Sequence, residues 1–171
     1  MEGAAYRPPL PAPGDQVTWP DDFGQRFTIF VDTEEEFDWS APLRRESRSV
    51  AAMAALPTGA ARFAEAGAAL ALLIDYPVAT DPAAIDHLHR ALDYRRHAVG
   101  TQLHAWVNPP YDEPLTRANS YAGNLPPALE AAKLQALTVA ITQAFGQPRL
   151  YRAGRYGIGP ATLRLLADYG Y

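Results

Sequence analysis

The stretch Arg26-Phe-Thr-Ile-Phe-Val-Asp-Thr-Glu34 decides the fold. It reads as a strand from about Arg26 to Asp32 that runs out into two carboxylates, Asp32 and Glu34. Side chains two apart on a strand share one face, so these two form a two-pronged acidic group. A second strand-like stretch, Ala98-Val-Gly-Thr-Gln-Leu-His104, ends in the same way on Gln102 and His104. A third, Pro148-Arg-Leu-Tyr, is followed by Arg152. In strand–helix repeats the reacting groups gather at the carboxyl ends of the strands. These three ends therefore read as parts of one site.

Working outward, residues 1–25 are rich in Pro, Gly and Asp and show no period, which suggests an extended N-terminal arm. Residues 26–171 form the domain proper. Glu35–Arg48 is charged and aromatic and reads as a loop over the strand ends, with Glu35 and Glu36 in a solvated charge run. Ser49–Leu56 and Thr58–Ala66 look helical, with Pro57 between them as an interruption. The apolar run Ala68–Ile74 suits a strand buried on both faces. Asp81-Pro82 opens a helix to about Arg95. A long loop spans Trp106 to Pro127, and a helix with a 3.6-residue apolar period runs from Pro127 to Phe145. A fourth strand near Arg149–Arg152 and a last helix near Pro160–Tyr169 follow. Alternating strands and helices predict an α/β chain with a parallel sheet or barrel.

With 171 residues and no evident linker, one domain is expected. A net charge of −4 offers no electrostatic footprint for nucleic acid, and no basic patch suggests a membrane surface. No apolar run nears the ~20 residues that span a bilayer, and the first residues lack a signal-peptide pattern. The expected compartment is the cytoplasm. Cysteine is absent, so any bound metal must take oxygen and imidazole ligands.

Three motifs together resemble the polysaccharide deacetylase (NodB-homology) family, in its WalW-like branch. They are Phe30-Val-Asp-Thr-Glu-Glu-Glu-Phe-Asp-Trp39, Gly100-Thr-Gln-Leu-His-Ala-Trp-Val-Asn-Pro-Pro110 and Tyr151-Arg-Ala-Gly-Arg-Tyr-Gly157. Asp75-Tyr-Pro-Val-Ala79 and Asn119-Ser-Tyr-Ala-Gly-Asn-Leu-Pro-Pro127 are similar to WalW-type sequences too. The resemblance implies a distorted (β/α) barrel, here apparently truncated after about four strand–helix units. It also implies hydrolysis of N-acetyl groups on a carbohydrate substrate with a divalent metal, zinc or similar. Asp32 would be the general base, oriented by Arg152. His104, Glu34 and Gln102 would be the metal ligands. The backbone near Gly154 or Arg155 would meet the oxyanion. Trp39, Trp106 and Tyr156 are candidates for stacking on sugar rings, and Asp75 and Arg155 for lining the substrate site.

The chain differs from the family pattern at three points. Thr33 follows Asp32 where an Asp-Asp pair is usual in the family, so the resemblance implies that Glu34 would take over the ligand role. Gln102 stands where the first of two histidines is expected, and a neutral amide favours harder ions than zinc. The chain ends soon after the third motif, without the family's distal histidine acid. Two other functions fit these residues. One is a catalytically inactive deacetylase-like fragment that still binds a glycan. The other is a glycoside hydrolase using paired carboxylates, Asp32 with Glu34 or Asp75.

Overall fold

Four short strands carry the architecture in the computed structural model, which describes residues 6–7, 9–93 and 95–171. They are β1 (Ile29–Thr33), β2 (Leu70–Ile74), β3 (Ala98–Leu103) and β4 (Tyr151–Ala153). All three pairings are parallel, and the spatial order β1-β2-β3-β4 follows the chain. Parallel neighbours need a crossover between them, and each is supplied here by helix. Sequential order with helical crossovers is compatible with part of a β/α barrel.

The helices are α1 (Leu56–Glu65), α2 (Tyr76–Thr80), α3 (Pro82–Ala91), α4 (Pro127–Phe145) and α5 (Thr162–Asp168). Pro57 does not interrupt the first of them. It sits in the opening turn of α1, where a missing N–H breaks no hydrogen bond, and a 3-10 segment, Ala51–Ala55, precedes it. The five-residue α2 was not anticipated. Asp75 starts it by accepting the Val78 N–H at 3.0 Å, and Pro77 again lies in the first turn. Asp81 caps α3 through the Ala84 N–H at 2.8 Å. That helix stops at Ala91, short of the expected Arg95, because Leu92 leaves helical geometry at ψ 122°.

β1 starts at Ile29 rather than Arg26, since β2 begins only at Leu70 and offers no partner to earlier residues. Paired residues of parallel strands face the same way. One face of the sheet therefore carries Ile29, Val31, Leu70, Leu72, Ile74, Val99 and Leu103, which pack with Leu88, Leu137 and Ile141 of the helices as the main core. Each large aliphatic side chain buried there contributes about 1.5–3 kcal/mol. The other face carries Phe30, Asp32, Leu73, Gly100, Gln102 and Arg152. Gly100 is required on it, since a Cβ there would stand 2.6 Å from the Leu150 Cβ and 2.7 Å from Leu73 Cδ2. The arm residues described between 9 and 25 are exposed except Phe23, which is half-buried. Among the described residues no helix is long and apolar enough to cross a membrane.

Candidate active site

All four strands are parallel, so the carboxyl ends of β1, β3 and β4 lie along one end of the sheet, with β2 between β1 and β3, and their side chains meet above it. Arg152 lies opposite Gln102 in the β3–β4 pairing, and its guanidinium donates to the Asp32 carboxylate from across the sheet. Both partners remain partly open to solvent. The Glu34 carboxylate accepts a hydrogen bond from the Gln102 amide, whose nitrogen also lies 3.2 Å from His104 Nε2. His104 Nε2 is itself 3.5 Å from Glu34 Oε2. Asp32, Glu34, Gln102, His104 and Arg152 are thus gathered at one edge of the sheet.

Behind the imidazole stands a residue that the sequence reading put in solvent. Glu35 is buried, not part of a solvated charge run, and its Oε2 lies 2.8 Å from His104 Nδ1. Its backbone N–H donates to Asp75 Oδ2 at 2.9 Å. β1 ends at Thr33, so the strict two-residue alternation lapses there. Glu34 and Glu35 can then approach His104 from its two sides. The one sequence signal for Glu35 was its place directly after a strand end. Glu36, the third acid of the run, is exposed and accepts from Ser49 Oγ and the Ala52 N–H.

Asp75 is placed differently from its expected role. It is fully buried, one oxygen holding the Val78 N–H and the other the Glu35 N–H, so it braces the site from below and presents nothing to a substrate. Trp106 is also closed to a sugar ring. It is 1% exposed, stacks on His104 at 4.4 Å between centroids, and packs against Phe37 and Trp39. Its indole N–H acts on the Glu35 carboxylate without reaching hydrogen-bond geometry. Trp39 and Tyr156, by contrast, are 59% and 81% exposed, and Arg155 is half-buried.

Burial sets the protonation states. It lowers the His104 pKa, against the opposing pull of Asp75, Glu34 and Asp32, so the neutral imidazole is favoured. A neutral His104 that donates Nδ1–H to Glu35 has an unprotonated Nε2 turned toward Glu34 and Gln102. Burial also raises the pKa of Glu34 and of Glu35, and raises that of Asp75 well above its usual range, helped by the side-chain carboxyl of Glu35, which favours a shared proton and repels a second charge. The interior pair Glu35–Asp75 therefore resists holding two full negative charges.

Glu35, Asp75 and His104 offer ligand atoms within 4.8 Å of one another and could hold a metal ion. The donor chemistry fits a cation on a second count. Glu35 Oε1 and Gln102 Oε1 are buried without a hydrogen-bond partner among the described residues. Acceptor oxygens left unpaired in an interior are costly unless something positive meets them.

No protein-family model matches this chain, and neither a curated protein nor a solved structure is matched by it. What fold and site define is therefore a class: an α/β protein with a parallel sheet and a carboxylate–imidazole cluster at the strand carboxyl ends.

Proposed function

We propose that this protein is a metal-dependent hydrolase that removes N-acetyl groups from a carbohydrate, in the manner of polysaccharide deacetylases. The observation that carries the reading is the two-sided environment of His104: Glu35 on Nδ1 at 2.8 Å, Glu34 3.5 Å from Nε2. A carboxylate on one imidazole nitrogen fixes the tautomer and raises the basicity of the other, which is how metal-binding histidines are prepared. Two ligand atoms on a tetrahedral ion with bonds of about 2.0–2.1 Å lie about 3.4 Å apart. The Nε2–Oε2 spacing suits this, whereas Nδ1 and Glu35 stand at hydrogen-bond distance. Glu34, His104 and Gln102 would hold the ion, with Glu35 and Asp75 supporting His104.

A divalent cation held by these residues would supply Lewis acidity toward a carbonyl and toward water, whose pKa such ions lower toward ~7. Asp32 would receive a proton as general base, and the Arg152 contact orients its carboxylate. The amide of Gln102, already directed at Glu34 and His104, sets the third side of the site.

The deciding measurement is acetate release from N-acetylated chito-oligosaccharides in the presence of Zn²⁺, Co²⁺ or Mn²⁺, read beside reducing-sugar release. Metal-dependent acetate without new reducing ends is expected. New reducing ends without acetate would identify a glycosidase. Glycan binding with neither product would identify a binding protein, a reading that the amide at position 102 favours.

A further inference from the structure

Beside the His104 cluster lies a second cleft, of about 420 Å³, whose walls include Phe37, Trp39, Leu115, Arg117 and Arg155. It adjoins the site through stacked rings. Trp39 is 6.4 Å from Trp106, and Trp106 stacks on His104. Arg155 is close enough that its charge acts on His104.

The cleft is cationic in a chain of net charge −4. Among the described residues neither Arg117 nor Arg155 has a carboxylate at ion-pair distance. Arg155 is nonetheless held in place. Its Nη2 donates to Tyr121 Oη at 3.1 Å, and its guanidinium carbon lies 4.6 Å from the Tyr121 ring centroid and 5.4 Å from that of Trp39. The hydrogen bond from Arg155 lowers the Tyr121 pKa, and the charge of Arg117, which lines the same cleft, acts on the same phenol. The turn that carries Arg155 holds two successive side-chain-bearing residues in the left-handed region, Arg155 at φ 55° and Tyr156 at φ 56°. Such a conformation costs free energy and persists only where surrounding contacts impose it.

A held guanidinium, Arg155, with a second, Arg117, in the same cleft beside the exposed Trp39 suits one kind of ligand. Guanidinium groups bind planar or tetrahedral oxyanions through paired N–H donors, and ring faces cover the C–H surface of a sugar. We propose that this cleft binds an acidic saccharide, with the anionic substituent of the sugar between Arg117 and Arg155 and the ring against Trp39. The inference rests on the deacetylase reading and names its substrate class: an N-acetylated glycan that also carries negative charge.

The test is calorimetric titration of the full chain with three tetrasaccharides. One alternates glucuronic acid with N-acetylglucosamine, one is neutral N-acetylchitotetraose, and one is its 6-sulfated form. The acidic ligands are expected to bind about tenfold more tightly than the neutral one, the scale of one added charge-assisted hydrogen bond. That margin should shrink as salt is raised. Whichever anion is preferred identifies the substituent. Arg117→Gln and Arg155→Gln should each erase most of the margin, and Arg117→Gln should leave neutral binding within about twofold, because uncharged contacts remain. Equal affinity for all three ligands overturns the proposal. So does no binding of any, or equal weakening of neutral binding in a variant whose melting curve is unchanged. Acidic preference without acetate release would leave the charge recognition standing and remove the hydrolase reading. Acetate release with no preference would do the reverse.

Discussion

Arg152 and Asp32, 120 residues apart, meet across the whole width of the sheet. Three inter-strand steps separate β1 from β4, about 14 Å in a flat sheet, which is further than the two side chains can span. Their contact therefore requires the sheet to curl toward the face that carries Gln102 and His104. The ion pair is partly exposed, so its worth to stability is small, about 0–1 kcal/mol. Its value lies in aiming a carboxylate. Asp32→Asn should leave divalent-metal affinity within a few-fold while lowering kcat at least about 100-fold, the range for a lost general base. Parallel metal titration and acetate assays check this. Unchanged turnover would remove Asp32 from the reaction.

The Gln102 amide lies between Glu34 and His104 Nε2 and directs its N–H groups at both. It thus places partial positive charge where a cation would sit, while its own carbonyl oxygen is buried without a hydrogen-bond partner among the described residues. To serve as a ligand the amide must turn over, exchanging N–H for oxygen at that point. Gln102→His supplies a stronger donor that needs no such exchange. Zinc affinity should rise about tenfold or more, the scale of a well-made ligand or supporting contact. Titration with Zn²⁺ and with Mg²⁺ checks it, and the gain should be confined to zinc.

Much of this arrangement was legible in the chain. The carboxyl-end rule and the two-residue alternation identified Asp32, Glu34, Gln102, His104 and Arg152, because each lies on or next to a strand whose period fixes its direction. Glu35 was not legible, since periodicity stops where the strand stops. Asp75 and Trp106 were read as open to substrate because sequence gives proximity to a strand end but not depth. Asp75 is drawn inward by the two backbone N–H groups it satisfies, and Trp106 by the ring it covers. Lys133 could have been found. It shares the i, i+4 and i, i+8 spacing of Leu137 and Ile141 on the apolar side of α4, which for a lysine demands a buried partner.

Glu35 gives the fold a pH dependence of definite sign. Burial raises its pKa above the ordinary 4.5. Its contribution to stability is therefore fully present below about pH 4.5 and is lost as pH rises through the folded value. His104 acts oppositely. With its pKa lowered from 6.5, its contribution is present above that pH and lost as pH falls through the folded value. Glu35→Gln keeps an acceptor for His104 Nδ1 but removes the ionisation. The variant should gain on the wild type as pH rises above 4.5, until the folded-state value of Glu35 is passed. Melting temperatures in chelator-containing buffer test this, and a pH-independent difference would rule out the assigned cause.

Lys133 anchors the segment that follows His104. The side chain is fully buried on α4, and its ammonium donates to the carbonyls of Ala105, Asn108 and Pro110 and lies 3.2 Å from Glu113 Oε1. Burial lowers its pKa, and the Glu113 carboxylate pulls it back up, so the charged form is retained by those four oxygens. Lys133→Met fills the volume but leaves three carbonyls without their donor and the buried Glu113 carboxylate with Arg45, 3.7 Å away, as its remaining ion-pair partner among the described residues. The loss should be about 3–5 kcal/mol, as for other half-broken buried pairs. Adding Glu113→Gln should recover part of that loss, because the buried negative charge that has lost its nearer partner goes too. Because the anchored loop begins beside His104 and carries Trp106, Lys133→Met should also weaken metal binding. Urea unfolding of the single and double variants, with metal titration of each, checks both claims. A loss equal to the sum of the two single losses would mean that the pair does not act together.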